Sequence, residues 1–316
     1  MFSAADRRPG ERPSSIDDVS RMLAAHRYMA DRSLAVSIYL SITLGKPLFL
    51  EGEAGVGKTE VAKVLAAGLG RPFIRLQCYE GLDINHAVYE WNYARQILHI
   101  RMAETNARQS MATVEREIFG PEFLIKRPLL QAIDESKDAP AVLLIDEIDR
   151  ADEEFEAFLL ELLSDFQITI PEIGTIKAVN PPLIVLTSNR TREVHDALKR
   201  RCLYHWIDYP NLEREMAIVQ AKVPGISSTL AREAAAFVAG LRNDSFYKQP
   251  GVAETIDWAE ALVALGQTEL DEAVVSQTLG ALLKYQEDVK KLSERALHAR
   301  VAEAKAHQPR TADQHV

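Results

Sequence analysis

Apolar residues along this chain form two kinds of pattern: short runs that are mostly apolar, and longer stretches with apolar residues at helical spacing. The continuous runs predict buried parallel strands, because a strand covered on both faces needs no polar side. Predicted strands cover residues 48–50, 73–78, 140–145, 183–187 and 205–209. One helix is predicted to begin near residue 15. Five more are predicted over 31–44, 60–69, 105–118, 128–136 and 153–163. Strands that alternate with helices predict an α/β domain built on a parallel sheet.

From Asn211 onward the pattern is almost purely helical. Helices are predicted over 212–222, 228–242, 256–265, 270–283 and 285–304. The chain is therefore predicted to have a disordered start over 1–14, an α/β domain over 15–209, a smaller all-α domain over 210–304, and a flexible tail over 305–316.

Two β-hairpins are predicted as insertions in the α/β domain. Strand-forming residues in 88–100 surround Asn92–Arg95 and favour a hairpin, while an amphipathic helix is the alternative for the same segment. Residues 168–170 and 175–178 flank Pro171–Gly174 and predict the second hairpin. The predicted fold is a parallel sheet flanked by helices, with two β-hairpin insertions and a helical domain after it.

Composition and charge limit the class of protein, the binding partners and the cellular location that the sequence predicts. The 316 residues are 47% hydrophobic and 26% charged, which is typical of a globular protein with enough core for two domains. The net charge of −9 argues against a broad nucleic-acid-binding surface. The two cysteines and eight histidines are scattered, so we predict neither a disulfide framework nor a zinc site, and expect a cytoplasmic location. The N-terminus lacks a signal-peptide segment, and polar residues interrupt the apolar run 34–50, so no membrane span is predicted.

The segment that follows the first predicted strand has the sequence motif of a phosphate-binding loop. It matches G-x-x-x-x-G-K-[ST] between a strand and a helix, and reads Gly52-Glu53-Ala54-Gly55-Val56-Gly57-Lys58-Thr59. Glycines let backbone N–H groups surround phosphate oxygens, and the first turn of the helix, which includes Glu60, presents its positive dipole end to the same anion. Lys58 can reach the β- and γ-phosphates, and the Thr59 hydroxyl can hold Mg²⁺. ATP or ADP with Mg²⁺ is therefore the predicted ligand.

Acidic, amide and basic residues follow where a nucleotide hydrolase needs them. Asp146 and Glu147 end a buried strand, at the sheet edge where parallel α/β proteins bind ligands. Asp146 is predicted to hold Mg²⁺, and Glu147 to orient or deprotonate the attacking water. Asn189 ends the next strand, where its amide would position that water, although Asn is also common at helix N-caps and in turns. Arg200 and Arg201 precede the last strand and would stabilise charge on the γ-phosphate, with a solvated basic turn as the alternative.

In this order, the motifs resemble those of the AAA+ ATPases. The phosphate loop and the segment 146–151 (Asp-Glu-Ile-Asp-Arg-Ala) resemble the MoxR group in particular, which usually has Asn where this chain has Asp149. The two predicted insertions also match that group. The resemblance covers about residues 15–300, and within the group it is nearest to ATPases encoded with molybdenum-containing carbon monoxide dehydrogenases.

The resemblance implies roles for individual residues. Asn189 matches the sensor-1 asparagine, and Arg201 matches the arginine finger that completes a neighbouring subunit's site, with Arg200 a rival one position away. The helical domain matches the family's lid. Where the family has a sensor-2 arginine in a Ser-Pro-Arg-Ala turn, however, this chain has the segment 254–259 (Glu-Thr-Ile-Asp-Trp-Ala), so another basic residue would have to take that role. Trp258 in that segment is predicted to pack in a core.

The resemblance further implies a homo-oligomeric ring, expected to be a hexamer, that remodels a metalloenzyme client, often with a von Willebrand A-domain partner. Any membrane association would then be peripheral and through partners. Tyr89, Trp91 and Tyr93 would either grip a polypeptide in the ring's pore or pack onto the insertion itself. Two other functions are compatible with the sequence. One is a nucleic-acid motor or loader that uses the same ATPase domain, and the other is a nucleotide-gated scaffold. Arg95 is the only permanent cation in 88–100, where a DNA motor needs several.

Overall fold

The computed structural model describes residues 12–105, 114, 117–134, 139–292 and 294–306. The strands are β1 (Leu48–Gly52), β2 (Phe73–Gln77), β3 (Tyr89–Trp91), β4 (Leu124–Lys126), β5 (Val142–Asp146), β6 (Gln167–Ile170), β7 (Gly174–Lys177), β8 (Leu183–Ser188) and β9 (Leu203–Ile207). The α-helices are α1 (Ile16–Ala25), α2 (Arg32–Leu44), α3 (Lys58–Gly68), α4 (Ile84–Ala87), α5 (Tyr93–Thr105), α6 (Pro128–Asp134), α7 (Glu153–Asp165), α8 (Asp196–Lys199), α9 (Leu212–Lys222), α10 (Ser228–Leu241), α11 (Val252–Ala264), α12 (Glu272–Leu282), α13 (Gln286–Lys291) and α14 (Glu294–Ala306).

A five-stranded parallel sheet, in the order β2-β5-β8-β1-β9, forms the centre of the α/β part. Strands β1, β5 and β8 are buried at every position, which confirms the interpretation of their continuous apolar runs. Helix α3 packs against β1, β2, β5 and β8. Because β1, β5 and β8 are neighbours and parallel, the residues that end them lie side by side at one edge of the sheet.

Helix boundaries in the first part of the chain follow local capping chemistry. Ser15 caps α1 by accepting a hydrogen bond from the Asp18 N–H, and Asp31 caps α2 by accepting one from the Leu34 N–H. Helix α2 ends at Gly45, whose left-handed backbone (φ 64°) turns the chain towards β1. The predicted start of the first helix near residue 15 and both predicted ends of the second, 31–44, are confirmed. The predicted helix over 105–118 lies mostly outside the described residues, and so does the end of the helix predicted over 128–136.

The hairpin predicted over 88–100 is wrong. Strand β3 is only three residues long and pairs antiparallel with β4, far along the chain, and α5 begins directly after it. Asn92 is the reason, since its side chain accepts the Arg95 N–H at 3.1 Å and so caps the helix that follows. The alternative, a helix over 88–100, is therefore right for residues 93–100, which belong to α5. The second predicted hairpin is confirmed by the antiparallel pairing of β6 with β7.

The chain divides into two compact units. The first holds the described residues of Met1–His26, Ala30–Gly52 and Lys58–Trp206, and the second those of Arg27–Met29, Glu53–Gly57 and Ile207–Val316. The tip of the phosphate loop thus belongs to the second unit. The start predicted to be disordered over 1–14 lies mostly outside the described residues, as does most of the tail predicted over 305–316.

Helices α9 to α14 build the second unit around an apolar core. Trp258 is fully buried there, lies 5.3 Å from the ring of Phe237, and donates from Nε1 to Thr278 Oγ1 at 2.8 Å. Its predicted role in core packing is confirmed. The single helix predicted over 285–304 is wrong, because α13 ends at Lys291 and α14 is a separate helix.

Candidate active site

Four of the residues predicted to bind the phosphates and the metal lie together at the carboxyl edge of the sheet: Gly52, Lys58, Thr59 and Asp146. Thr59, at the start of α3, donates from its hydroxyl to Asp146 Oδ1 at 3.0 Å, although the two residues are 87 positions apart in sequence. Lys58 is buried and donates from Nζ to the carbonyl of Gly52 at 2.8 Å, across the mouth of the loop. The fold therefore brings the two ends of the phosphate loop and the end of β5 to one place.

The tip of the phosphate loop is fixed by contacts inside the second unit. Gly55 and Gly57 have left-handed φ values of 77° and 91°, which L side chains rarely adopt. The carbonyl of Gly55 accepts the Ala253 N–H of α11 at 3.1 Å. Gly251, the N-cap of that helix, lies so close that a Cβ on it would be 2.7 Å from the carbonyl oxygen of Ala54. The tip of the phosphate loop and the first turn of α11, which belong to the same unit, are thus packed backbone to backbone.

Glu254 lies in the segment of α11 that corresponds to the sensor-2 arginine segment of the AAA+ ATPases that the sequence resembles. Its carboxylate accepts the N–H of Gly251 at 3.0 Å, which is the one bond of a capping box that a glycine N-cap allows. A Cβ on Gly55 would lie 2.8 Å from the same carboxylate. Arg242 is a cation of this unit whose side chain is largely buried, but it forms a bidentate pair with Glu215 at 2.6 and 2.7 Å. Neither residue supplies a ready substitute for the sensor-2 arginine.

Gly251→Ala is expected to lower the free energy of unfolding by about 1–3 kcal/mol, because the new methyl group overlaps backbone atoms that cannot rotate away. Chemical denaturation would measure the change. Gly280→Ala is the matched control, since a Cβ at that position of α12 meets no atom within 4 Å. The control should stabilise the protein by about 0.5–1 kcal/mol through helix propensity. Equal effects of the two substitutions would contradict the close packing at Gly251.

Asp146 is held by a closed set of hydrogen bonds. Its side chain is 3% exposed. Oδ1 accepts from the hydroxyls of Thr59 at 3.0 Å and Thr187 at 2.5 Å, while Oδ2 accepts from Arg75 Nε at 3.0 Å and Nη2 at 2.6 Å. Thr187 also accepts the backbone N–H of Glu147 at 2.9 Å, so one threonine of β8 positions both acidic residues. The sequence analysis identified neither Thr187 nor Arg75.

Glu147 has a backbone conformation that few non-glycine residues adopt. Its φ is 54°, in the left-handed region, and non-glycine residues there cluster at functional sites. Its side chain is about one-third exposed, and Oε2 accepts from Arg150 Nε at 2.8 Å. The left-handed turn directs the chain out of β5 into a 3₁₀ turn over Ile148–Arg150, and Arg150 thereby faces the glutamate. Arg150 is a further site residue that the sequence analysis did not single out.

Asn189 is placed by the carboxylate of Asp149. Oδ2 of the buried Asp149 accepts the N–H groups of Asn189 at 3.2 Å and Thr191 at 2.8 Å, and the Thr191 hydroxyl at 2.7 Å. These bonds tie the segment after β8 to the turn after β5. Asn at position 149, the residue usual in the MoxR group, could accept the same bonds through its amide oxygen, because all three reach one oxygen of Asp149. The aspartate therefore fills a structural role here.

The two candidate finger arginines have different surroundings. Both side chains are exposed at the end of α8. Arg201 donates from Nε to Ser164 Oγ at 2.7 Å and from Nη1 to the Ala197 carbonyl at 2.8 Å. Among the described residues, none pairs with the Arg200 side chain. Arg200 can therefore extend from the surface without breaking a contact, whereas Arg201 would first lose two hydrogen bonds.

The donor set fits a magnesium nucleotide. Thr59 and Asp146 supply oxygen ligands, which Mg²⁺ prefers, and the phosphate-loop backbone supplies N–H groups for phosphates. In the part of the chain that the structure describes, no cluster of three or more His, Cys, Asp or Glu could hold a metal by itself. Mg²⁺ usually binds to phosphate oxygens and water with only one or two protein ligands.

Cys78 lies beside the acidic residues but has no nucleophilic role. Burial, followed by the nearby carboxylates of Asp146 and Asp149, raises the pKa of its thiol to about 12. The thiol is therefore protonated at physiological pH, and thiolate chemistry at this site is excluded.

The sheet topology together with a family match shows an AAA+ P-loop fold followed by a helical C-terminal part. Residues 47–202 match the family model described as "AAA domain (dynein-related subfamily)". That segment contains the phosphate loop, Asp146-Glu147, Asn189 and both candidate finger arginines. Over the described residues, no helix is long and apolar enough to cross a membrane.

Curated relatives resemble only part of the chain. An uncharacterized protein of Staphylococcus saprophyticus is 27% identical over 173 residues, which are 52% of this chain and 57% of the relative. An uncharacterized protein of Staphylococcus haemolyticus is 26% identical over 187 residues, or 57% of this chain and 62% of the relative. The chain thus spans about three-fifths of the length of each.

Solved structures with a similar arrangement include RuvB from Thermotoga maritima. A mutant form has a TM-score of 0.48 and 15% identity, over 90% of this chain and 76% of that chain. The structure described as the RuvB Holliday junction branch migration motor has a TM-score of 0.44 and 16% identity, over 90% of this chain and 74% of that chain.

Proposed function

We propose that this protein is a Mg²⁺-dependent ATPase whose site lies at the carboxyl edge of the parallel sheet. The observation that carries the proposal is the contact of Thr59 with Asp146, directly beside Lys58 and Glu147. The phosphate loop, residues 52–60, would bind the phosphates of ATP, and Thr59 with Asp146 would hold Mg²⁺. The cation neutralises phosphate charge when it is bound.

The other site residues have roles that follow from their positions. Glu147 would accept a proton from the attacking water or orient it, since its carboxylate is partly exposed next to Asp146. Asn189 would hold that water with a neutral amide. Arg200 or Arg201 would reach the γ-phosphate of a neighbouring subunit in a ring, expected to be a hexamer. The free side chain of Arg200 favours it over Arg201 for that role.

Phosphate release from ATP by the purified protein tests the hydrolytic function. The wild-type protein should release phosphate with Mg²⁺ present and stop when EDTA removes the cation. Hydrolysis that continues unchanged in EDTA, or no hydrolysis in Mg²⁺ by the folded protein and by its assembled oligomer, would contradict the proposal.

We further propose that the ATPase works as a MoxR-type chaperone, most like CoxD. This assignment is supported by the amino-acid sequences of the phosphate loop and of the segment 146–151, which resemble those of the MoxR group. On this proposal a ring of subunits remodels or matures a metalloenzyme, such as a molybdenum-containing carbon monoxide dehydrogenase, with a von Willebrand A-domain protein as an adaptor.

Capture of a client by a hydrolysis-deficient variant tests this assignment. Glu147→Gln protein held in the ATP-bound form should retain a metalloenzyme or a von Willebrand A-domain protein, and Lys58→Ala protein should not. Recovery of neither partner by the ATP-bound trap, together with salt-dependent stimulation of the ATPase by DNA, would instead support a nucleic-acid motor or loader.

A further inference from the structure

We propose that Arg75 is an exchangeable counter-cation of Asp146. When Mg²⁺ and nucleotide bind, Arg75 releases the Asp146 carboxylate and the divalent cation takes its place. The inference rests on the proposed function, because it concerns the same metal ligand. It assigns Arg75 a positioning role on β2.

Arg75 reaches Asp146 from the edge of the sheet. It lies opposite Leu144 in the register of β2 with β5, one position before the pair Leu76 with Ile145. Two nitrogens of its guanidinium contact Asp146 Oδ2, at 3.0 Å from Nε and 2.6 Å from Nη2. The Arg75 side chain is 45% exposed, whereas that of Asp146 is 3% exposed. A cation that is partly exposed to water is thus paired with a buried anion.

The pairing has a clear electrostatic reason. A buried carboxylate without a cationic partner is strongly disfavoured, because desolvation of the charge is not offset by any attraction. Thr59 and Thr187 contribute hydroxyl dipoles but no charge. Among the groups that contact Asp146 in the described structure, Arg75 is the one that carries a positive charge. Its positive charge therefore offsets the burial of the carboxylate that is proposed to bind the metal.

The hydrogen-bond count shows why Arg75 and a metal cannot share the carboxylate. A carboxylate has about four acceptor positions, and all are used: two hydroxyls on Oδ1 and two guanidinium nitrogens on Oδ2. A metal ligated directly, or a metal-bound water that donates to Asp146, needs one of these positions. One donor must leave, and the cations also repel each other.

Arg75 is the donor that can leave with least loss. Thr187 is fully buried and is fixed by its second bond, from the Glu147 N–H. Thr59 itself belongs to the proposed metal site. Arg75 is exposed to water, and its Nη2 also donates to Oε1 of Gln77, two residues along the same strand. Gln77 offers the guanidinium a neutral partner after it releases Asp146.

The affinity of the full-length protein for Mn²⁺ tests the exchange, measured by electron paramagnetic resonance with saturating ADP. Arg75→Gln removes the competing cation, so Mn²⁺ should bind about tenfold more tightly, the factor that one charge-assisted hydrogen bond is worth. Arg75→Lys should bind with intermediate affinity. Arg32→Gln, which removes an exposed arginine that pairs with Asp17 at 3.2 Å, should leave the affinity unchanged.

A thermal melt of the same variants gives a second readout. In EDTA, Arg75→Gln should melt below the wild-type protein, because Asp146 is left without a cation, and Mn²⁺ with ADP should remove most of the difference. Weaker Mn²⁺ binding by Arg75→Gln would overturn the proposal and make Arg75 an orienting partner of the metal ligand. Equal affinity would also overturn it. Should Arg75→Gln fail to fold, wild-type affinity in Arg75→Lys would overturn it. Failure of the wild-type protein to bind Mn²⁺ with ADP or ATP would instead contradict the proposed ATPase.

Discussion

Glu147→Gln is expected to lower kcat for ATP hydrolysis by about 10²- to 10⁴-fold, the usual contribution of a general base. The amide keeps the shape of the side chain and its contact with Arg150 at 2.8 Å, but it cannot accept a proton from water. Nucleotide affinity should stay close to that of the wild-type protein, because the phosphate loop and Asp146 are untouched. Steady-state phosphate release and equilibrium binding of a fluorescent ATP analogue would measure the two quantities separately.

Glu154→Gln is the matched control for that experiment. Glu154 is exposed in the first turn of α7, close in sequence to Glu147, and the substitution removes the same charge. Its kcat should be unchanged. If Glu147→Gln hydrolyses ATP at a rate near that of the wild-type protein, Glu147 does not prepare the nucleophile, and the left-handed turn at this residue has another cause.

Arg200→Ala is expected to lower the ATPase rate of the assembled ring by about 10³-fold or more, the scale of an arginine that stabilises phosphoryl transfer in trans. The Arg200 side chain is exposed and pairs with no described residue, so its removal should not disturb the fold of its own subunit. Nucleotide affinity and the far-ultraviolet circular dichroism spectrum should remain those of the wild-type protein. Rings assembled from mixed subunits would show where the arginine acts.

In mixed rings, each Arg200→Ala subunit should inactivate the intact site of its neighbour. Activity would then fall faster than the fraction of wild-type subunits. Arg201→Ala is the paired variant, and it removes the bonds to Ser164 and the Ala197 carbonyl, so it should reduce stability more than Arg200→Ala does. Strictly proportional loss with Arg200→Ala, or a steeper loss with Arg201→Ala, would contradict the assignment of Arg200.

The parts of the fold that were predictable are those whose residues repeat a pattern over several positions. Strands β1, β5 and β8 each contain a run of three or four consecutive apolar residues, and burial on both faces explains that pattern directly. The phosphate loop was equally clear, since its glycines satisfy backbone requirements that few other residues meet. These features are local, and a single sequence contains enough information to locate them.

The hairpin predicted over 88–100 failed because its pairing is not local. Strand β3 has its partner in β4, about thirty residues later, and the intervening chain includes α5. Asn92 is compatible with a turn and with a helix N-cap, so its identity did not distinguish the two structures. Only the tertiary pairing of Trp91 with Leu124 separates strand from helix at this point.

The missed site residues act through contacts that a sequence pattern does not encode. Thr187 is the last position of a predicted apolar strand, yet its hydroxyl joins Asp146 to the Glu147 backbone. Arg75 was one polar residue inside a predicted strand. Its contact with Asp146 depends on β2 lying beside β5, which is a property of the sheet order. The choice between Arg200 and Arg201 likewise depended on which side chain its own subunit holds.

Calorimetric titration of ATP with Mg²⁺ into wild-type and Lys58→Ala protein tests the central claim most directly. Lys58 is buried and bonds to the Gly52 carbonyl at 2.8 Å, so it is held where phosphates would lie. Loss of its charge-assisted bonds should weaken ATP binding by about 10- to 100-fold. Lys63→Ala, which removes an exposed lysine from the same helix, should bind as the wild-type protein does. Equal affinities in all three proteins, with circular dichroism confirming that each is folded, would contradict a nucleotide site at the phosphate loop.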